Sequence, residues 1–318
     1  SSSFSLDNGT LSFAVSSLGD ASGSSVLGSN GGVLDVDVDQ SLSLSGVVSG
    51  TGALTKTGGG QLSLSGANTY TGSTAINNGV LLVSGSLSDG TAVNVGGSGT
   101  YELGADDTVG SIAGSGAINL GDQSLTVGGD NSSTEFSGVV SGTGGLAKQG
   151  TGTLTLSGAN SYSGPTSVTQ GTLRVANTEA LGSSSSFSLD NGTLSFAVST
   201  TDDSSGSLVL GNNGGVLDID AGQSLSLSGV ISGAGALTKT GGGQLSLSGA
   251  NAYTGSTSIN NGTLLVSGSL SDGTAVNVGG SGTYEVGADD TVGSIAGSGA
   301  INLGDQSLTV GGDNSSTE

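Results

Sequence analysis

The 318-residue chain has 25 acidic and four basic side chains, a net charge of −21, and contains 64 glycines but no Cys, His, Met or Trp. Without His or Cys it cannot build a Ser–His or Cys–His nucleophile, and without a basic patch it is not expected to bind nucleic acid. Because large apolar residues are scarce, any hydrophobic core must be narrow and repeated along the chain.

Two nested repeats organise the sequence. Residues 1–135 align without a gap with residues 184–318, and 120 of these 135 positions are identical. The offset is 183 residues, which defines a long unit at 1–183 and a partial second unit at 184–318. Inside the long unit, residues 44–72 match residues 136–164, so each half-unit has about 91 residues. Self-similarity of this kind is typical of solenoids and other repeat architectures.

Short strands are the predicted elements, because apolar residues alternate with Ser or Thr between glycine-rich corners. In chain order the clearest are SLSLSG at 41–46, QLSLSG at 61–66, QSLTVGG at 123–129 and TLTLSG at 153–158. No window spaces apolar residues at the helical interval, so we predict essentially no α-helix. Strands this short cannot close a core alone, but as stacked rungs each covers its neighbour.

Asn-Gly pairs leave a second architecture open. Examples stand at 8–9, 78–79, 191–192 and 261–262, and this pair favours type I′ hairpins of a sandwich or barrel. A solenoid corner that needs a positive φ uses the same pair equally well. The strict tandem register favours the solenoid. The predicted fold is therefore all-β, a single continuous β-solenoid over residues 1–318.

The acidic strand LDVDVDQ at 34–40 raises the question of a metal. It places a carboxylate at every second position on one face and apolar residues, Val38 included, on the other. Carboxylate oxygens in a row suit calcium, but the second copy has Gly222 where the first has Asp39. A solvated outer face is therefore favoured, and no other cofactor is predicted. The weak calcium candidates are Asp35, Asp37, Asp218 and Asp220.

Lys56, Lys148 and Lys239 conflict with the alternation. Each lysine lies two residues after an inward leucine of the same strand, so the alternation points it inward as well. An unpaired ammonium group would be costly there. We expect the glycines that follow each lysine to reset the alternation. The lysines are then predicted to be solvated and to balance nearby carboxylates.

An Asn and a Tyr recur two residues apart in each repeat. Parity with Leu62 and Leu64 sends Asn68 and Tyr70 into the stack. A buried Asn amide needs partners, so we predict an internal turn residue bonded to backbone or to an Asn of the next rung. The Tyr ring is expected to fill the same corner, with its hydroxyl reaching solvent or backbone. An outward ring that stacks on a sugar is disfavoured by parity. The predicted turn and core residues are Asn68, Tyr70, Asn160, Tyr162, Asn251 and Tyr253.

Two pairs of adjacent carboxylates are candidates for acid–base chemistry. Asp106–Asp107 and Asp289–Asp290 both stand in the string GADDTVG. Adjacent residues of a strand point to opposite faces, which suits a turn better than a catalytic pair. We therefore predict that the protein is not an enzyme.

A longer frame carries a family resemblance. L-x-K-x-G-x-G-x-L-x-L-S-G-x-N-x-Y-x-G-x-T, followed by G-x-L-x-V, stands at 54–83, 146–175 and 237–266. It resembles the autotransporter-associated β-strand repeat found in passenger regions of large Gram-negative surface proteins. The resemblance implies a right-handed parallel β-helix that is exported and displayed at the cell surface, either anchored to the outer membrane or released.

The resulting hypothesis is a non-enzymatic extracellular β-solenoid, a stalk or fibre segment of a giant repetitive, adhesin-like bacterial protein. One alternative is a filament or biofilm-matrix protein that polymerises through the unpaired strand edges at solenoid ends. A minor alternative is a β-helix that binds or degrades polysaccharides. The predicted partners are neighbouring repeats or further copies of the chain, and cell-surface glycans or other cells. No apolar run predicts insertion of this segment into a membrane.

Overall fold

The computed structural model describes residues 3–14, 18–199 and 206–311, which contain 35 β-strands and no α-helix. The strands pair in parallel with those of neighbouring turns, so the predicted all-β solenoid is confirmed. Among these residues no helix is long and apolar enough to cross a membrane.

The chain divides into two compact units. The first consists of residues 1–164 and 179–183, and the second of residues 165–178 and 184–318. Each unit is a stack of parallel turns in its own right. Continuity of one solenoid along residues 1–318 stays a prediction.

The described part of the first unit contains 19 strands. In chain order they are β1 (Ser5–Leu6), β2 (Gly9–Phe13), β3 (Leu18–Ala21), β4 (Ser25–Leu27), β5 (Gly32–Val36), β6 (Ser41–Leu44), β7 (Val48–Gly50), β8 (Leu54–Thr57), β9 (Gln61–Leu64), β10 (Thr74–Val83), β11 (Ala92–Leu103), β12 (Asp107–Val109), β13 (Ser111–Gly114), β14 (Ala117–Asn119), β15 (Leu125–Val127), β16 (Thr134–Phe136), β17 (Val139–Ser141), β18 (Leu146–Lys148) and β19 (Thr153–Leu156).

These strands form three stacks, one for each side of a turn. The first stack runs β2, β5, β8, β10, β11, β13, β16, β19. The second runs β3, β6, β9, then the second halves of β10 and β11, then β14 and β17. The third holds β1, β4 and β7, and further along β12, β15 and β18. β10 and β11 belong to two stacks because each continues through a corner: Thr74 pairs with Leu54 of β8, and Val80 with Gln61 of β9.

The second unit repeats this arrangement with 16 strands in its described residues. They are β20 (Thr166–Val168), β21 (Gly171–Val175), β22 (Ser186–Leu189), β23 (Gly192–Phe196), β24 (Ser207–Leu210), β25 (Gly215–Ile219), β26 (Ser224–Leu227), β27 (Ile231–Gly233), β28 (Leu237–Thr240), β29 (Gln244–Leu247), β30 (Thr257–Val266), β31 (Ala275–Val286), β32 (Asp290–Val292), β33 (Ser294–Gly297), β34 (Ala300–Asn302) and β35 (Leu308–Val310). Its first stack runs β21, β23, β25, β28, β30, β31, β33.

The core consists of columns of apolar side chains, one column for each inward position of a stack. Inward and outward residues alternate along the strands, as in β5 and β9, so every second side chain is removed from water. Burial of one such Leu or Val contributes about 2 kcal/mol. In the second stack of the first unit, one fully buried column is Leu42, Leu62, Leu81, Tyr101, Ile118 and Val140.

Equivalent residues of the two half-units lie on different sides of the solenoid. Leu54 and Lys56 lie on β8 in the first stack, whereas Leu146 and Lys148, their counterparts 92 residues later, lie on β18 in the third stack. A shift of one half-unit is therefore not a whole number of turns. The repeat frame specifies a strand–corner–strand geometry that fits more than one corner of the solenoid.

Gly58 shows why glycine follows the lysine in this frame. Its φ is +71°, and a Cβ atom at this position would lie 2.1 Å from the main-chain oxygen of Val36 in the preceding turn. Only glycine combines a left-handed conformation with such a close approach of two main chains.

We expect Gly58→Ala to lower the free energy of unfolding by about 3 kcal/mol or more, since it adds left-handed strain to a main-chain clash. Urea unfolding followed by circular dichroism measures the change. Gly90→Ala is the matched control, because Gly90 lacks a positive φ and its added Cβ meets nothing within 4 Å. Equal unfolding midpoints for the two variants would contradict this account of the corner.

Candidate functional site

The lysine of the repeat frame lies inside a corner. Lys56 is fully buried, and its Nζ donates to the main-chain oxygens of Thr57 at 2.5 Å, Gly58 at 2.7 Å and Asn78 at 3.2 Å. The first two belong to its own corner and the third to the next turn. The prediction of a solvated lysine was wrong, because converging carbonyl groups give the ammonium group the acceptors that burial requires.

The other two copies repeat this arrangement. Lys239 Nζ donates to Thr240, Gly241 and Asn261 oxygens at 2.5, 2.8 and 3.2 Å, and Lys148, also buried, donates to the oxygens of Gln149 and Gly150. Burial lowers the pKa of Lys56 and of Lys239 to about 8, against the opposing effect of a nearby Asp on each. The same cause lowers the pKa of Lys148.

Asn68 joins three successive turns through its side-chain amide. Its Oδ1 accepts from Val48 N–H of the preceding turn at 3.0 Å. Its Nδ2 donates to Gly66 O at 2.9 Å and to Ser86 O of the following turn at 3.0 Å. The amide gives Val48 N–H its partner, and it adds a second donor to Gly66 O and to Ser86 O, which also accept from the main-chain N–H groups of Ser86 and Asn68.

The two other asparagines have similar surroundings. Asn160 Oδ1 accepts from Val140 N–H at 2.7 Å and its Nδ2 donates to Ala180 O at 2.6 Å. Asn251 is 4% exposed, and its three contacts repeat those of Asn68. They join it to Ile231 N–H, Gly249 O and Ser269 O, at 3.1, 3.0 and 3.0 Å.

The tyrosines of the frame are fully buried. The hydroxyl of Tyr70 bonds to Thr74 Oγ1 at 2.6 Å, and that of Tyr253 to Thr257 Oγ1 at 2.5 Å. The expectation that the hydroxyl reaches solvent or backbone was wrong for these two residues, because the Thr that begins the next strand faces inward and offers a closer partner. Tyr162 is also fully buried.

A buried carboxylate that sequence reasoning missed lies in another corner. Asp107 is 4% exposed and accepts from Tyr101 Oη at 2.6 Å, Leu87 N–H at 3.1 Å and Thr108 N–H at 3.0 Å. Burial raises its pKa to about 6, although these hydrogen bonds oppose the shift. The only signal in the sequence was a Tyr that precedes the second Asp of GADDTVG by six positions.

The two members of this acidic pair lie on opposite faces, as the alternation predicts. Asp106 is exposed and caps the main chain by accepting from Ser124 N–H at 2.7 Å. Asp289 makes the equivalent contact with Ser307 N–H in the second unit. Neither pair can place two carboxyl groups on one bound substrate.

Two of the calcium candidates are engaged in polar ladders on the outer surface. Asp35 accepts from Ser12 Oγ at 2.9 Å and from Thr57 Oγ1 at 2.8 Å, one partner in each adjacent turn. These hydrogen bonds, that from Thr57 foremost, hold the pKa of Asp35 below its usual value. The counterpart contacts in the second unit are Ser195–Asp218 and Thr240–Asp218, at 2.9 and 2.8 Å.

The other two candidates differ from each other. Asp37 is exposed, whereas Asp220 forms an ion pair with Arg174 at 2.5 Å. Among the residues that the structure describes, no three His, Cys, Asp or Glu side chains are arranged to hold a metal ion.

The face assigned to Val38 was wrong. Val38 is 67% exposed, because the strand ends at Val36 and the chain turns through Asp39, whose φ is 63°. The second copy has Gly222 at this position, with a φ of 79°. The difference between Asp39 and Gly222 therefore follows from the left-handed turn, which both residue types tolerate.

Comparisons with known proteins identify the repeats. Residues 54–83, 146–175 and 237–266 match the family model described as Passenger-associated-transport-repeat. The chain is also 36% identical, over 309 residues, to the protein named Adhesin BmaC autotransporter from Brucella suis biovar 1 (strain 1330). That alignment covers 90% of this chain and 9% of the relative, so the chain spans only a small part of that protein's length. No solved structure matches.

We expect Asn68→Ala to lower the free energy of unfolding by about 2 kcal/mol, since it leaves Val48 N–H without a partner in the interior. Hydrogen exchange should show faster exchange of the Val48 amide. Asn94→Ala is the control, because Asn94 lies exposed on β11. Unchanged exchange at Val48 would show that the amide does not stabilise the corner.

The stability of the chain should rise as the pH falls from neutral through 6 toward 4. The folded state holds the proton of Asp107 with a pKa of about 6, above the ordinary 3.8 of the unfolded state, so protonation favours folding in this window. The gain from Asp107 is at most about 3 kcal/mol, and Asp290, whose pKa is also raised by burial, adds in the same direction. Urea titrations across this range measure it.

Asp107→Asn should remove its share of the pH dependence, whereas Asp106→Asn should leave the dependence intact because Asp106 is exposed. If the free energy of unfolding of both variants changed with pH as steeply as that of the wild type, Asp107 would not be the titrating group.

Proposed function

We propose that this chain, which carries three passenger-associated transport repeats and is similar to an autotransporter adhesin, is an autotransporter passenger region that works outside the cell as a non-enzymatic, adhesive β-solenoid. The similarity to an adhesin over 90% of the chain supports the adhesive role. The extracellular location is what a passenger region implies.

The observation that carries this proposal is the direction in which the repeat frame points its polar side chains. The Lys, Asn and Tyr of the frame are all buried, and those of the first copy, Lys56, Asn68 and Tyr70, bond to main chain or to an inward Thr. The frame therefore specifies a scaffold. Contact with a partner is left to the outward residues of the strands.

The outward residues form a polar, acidic surface suited to many weak contacts. On the first stack, Ser12, Asp35 and Thr57 occupy three successive turns and hydrogen-bond to one another along the axis. A regular array of hydroxyl and carboxylate groups can engage a repetitive polymer such as a glycan through multivalency. The array does not supply the paired carboxylates of a glycosidase.

We place this segment in a stalk or fibre of a long, repetitive surface protein. Main-chain hydrogen bonds that run along the axis give the stack stiffness, and in each copy of the frame the inward Asn joins its corner to neighbouring turns. Polymerisation through exposed strand ladders at solenoid ends remains the alternative proposal, because such ladders offer unpaired N–H and C=O groups.

The proposed function can be tested by displaying the chain on a non-adherent bacterial host. We expect cells that carry the chain to be retained on glycan-coated surfaces or epithelial cells under flow, more than cells that carry the display anchor alone. Free purified chain should compete for that retention. Sedimentation of the same preparation separates single rods from end-to-end polymers.

Two results would contradict the proposal. A folded, protease-resistant chain that confers no retention on any surface would be a spacer without adhesive contacts. Release of reducing sugar ends from a polysaccharide by the purified chain would show that it is an enzyme.

A further inference from the structure

Two of the six Asn-Gly pairs, at 78–79 and 261–262, have a geometry that the solenoid does not require. Gly79 N–H donates to the side-chain oxygen of the preceding Asn78 at 2.8 Å, and Gly262 N–H does the same to Asn261 at 2.8 Å. Both asparagines are exposed and stand where β10 and β30 pass through a corner. The contact is local, since each donor and acceptor belong to adjacent residues.

The other four pairs, also within the described residues, are built differently. At 30–31 and 213–214 the glycine N–H donates to a main-chain oxygen, that of Gly28 and that of Gly211, both at 2.8 Å. Asn8 and Asn191 have left-handed conformations, with φ of 62° and 67°. In neither case does the amide of the following glycine donate to the Asn side chain. The chain thus holds the same dipeptide in three geometries, twice each.

The geometry at Asn78 brings a nucleophile to an electrophile. Oδ1 is bonded to Cγ, so the hydrogen bond keeps the Gly79 nitrogen next to the side-chain carbonyl group of Asn78, and glycine has no Cβ to shield the approach. After the amide loses its proton, the nitrogen can attack Cγ. The C–N bond of the side-chain amide then breaks and ammonia leaves, which closes a five-membered succinimide ring between the two residues.

Water opens this ring in one of two ways. Attack at Cγ restores the normal main chain and leaves Asp at the position. Attack at the main-chain carbonyl carbon breaks its bond to the Gly79 nitrogen, so that the chain runs through Cβ and Cγ. The former main-chain carbonyl then becomes a free carboxylate, and the residue is isoaspartate.

The buried lysine contacts the group that is converted. Lys56 Nζ donates to the main-chain oxygen of Asn78, and Lys239 Nζ to that of Asn261, both at 3.2 Å. This hydrogen bond polarises the carbonyl that water must attack to give isoaspartate. It also places an ammonium group, which the corner supplies only with neutral carbonyl oxygens, beside the new carboxylate.

We propose that Asn78 and Asn261 are self-modification sites that convert to isoaspartate, and that Lys56 and Lys239 direct ring opening toward the isoaspartyl product. The reaction needs only water and releases ammonia. The repeat at 146–175 has Gln170 before Gly171 at the equivalent position. A glutamine would have to form a six-membered ring, so this repeat is the natural control.

The test is incubation of the purified chain at physiological temperature and at neutral pH, below the pKa of Lys56 and of Lys239. Peptide mapping follows, with fragmentation that distinguishes isoaspartate from Asp. We expect modification at Asn78 and Asn261 to exceed that at Asn8 and Asn191 by roughly tenfold or more, because of the near-attack geometry. Gln170 should stay unmodified. Equal rates at all six Asn-Gly pairs would overturn the proposal.

The part played by lysine is tested by Lys56→Met, with Asn261 as an unaltered site in the same molecule. We expect the ratio of isoaspartate to Asp at position 78 to fall to that of a synthetic peptide of the same sequence, while the ratio at 261 stays above it. If the substitution loosens the corner, Asn78 is modified faster, but the ratio of isoaspartate to Asp at this position still falls. An unchanged ratio at position 78 would show that Lys56 does not direct the ring opening.

Discussion

This fold depends on hydrogen-bond partners for the main-chain N–H and C=O groups at its corners. Strand ladders satisfy the N–H and C=O groups of the three sides, but a turn must also bend, and at each bend polar groups leave the ladder inside a narrow apolar core. Three buried side chains meet this requirement in different ways: Lys56 donates to converging carbonyls, Asn68 both donates and accepts, and Asp107 accepts from main-chain N–H groups.

This division of labour explains how one repeat can serve different corners. The frame encodes a strand, a glycine that permits a left-handed bend, and the polar side chain that fills the bend. These elements can form a corner on any side of the solenoid. For this reason β8 and β18 carry equivalent residues in different stacks. Because the frame is used inward, the outer surface can vary without loss of the fold, and adhesive contacts are free to form there.

Much of this could be predicted from the sequence, because a period of two is a direct consequence of strand geometry. Alternation predicted the strands, and it pointed Lys56 inward as well. Lys56 was nevertheless predicted to be solvated, because a buried charge is usually costly. The acceptors that offset this cost are main-chain oxygens, which cannot be recognised in a sequence. Asp107 was missed for the same reason, since its partners come from neighbouring turns. At Val38 parity failed because a left-handed residue ends the alternation.

The most direct test of this account is the titration of the lysine side chains by NMR, which is tractable because the chain has only three lysines. If the ammonium groups of Lys56 and Lys239 are buried against corner carbonyls, both should titrate near pH 8 while the chain stays folded. Titration at the ordinary value of 10.5 would mean that the lysines are solvated and that other groups satisfy the corners.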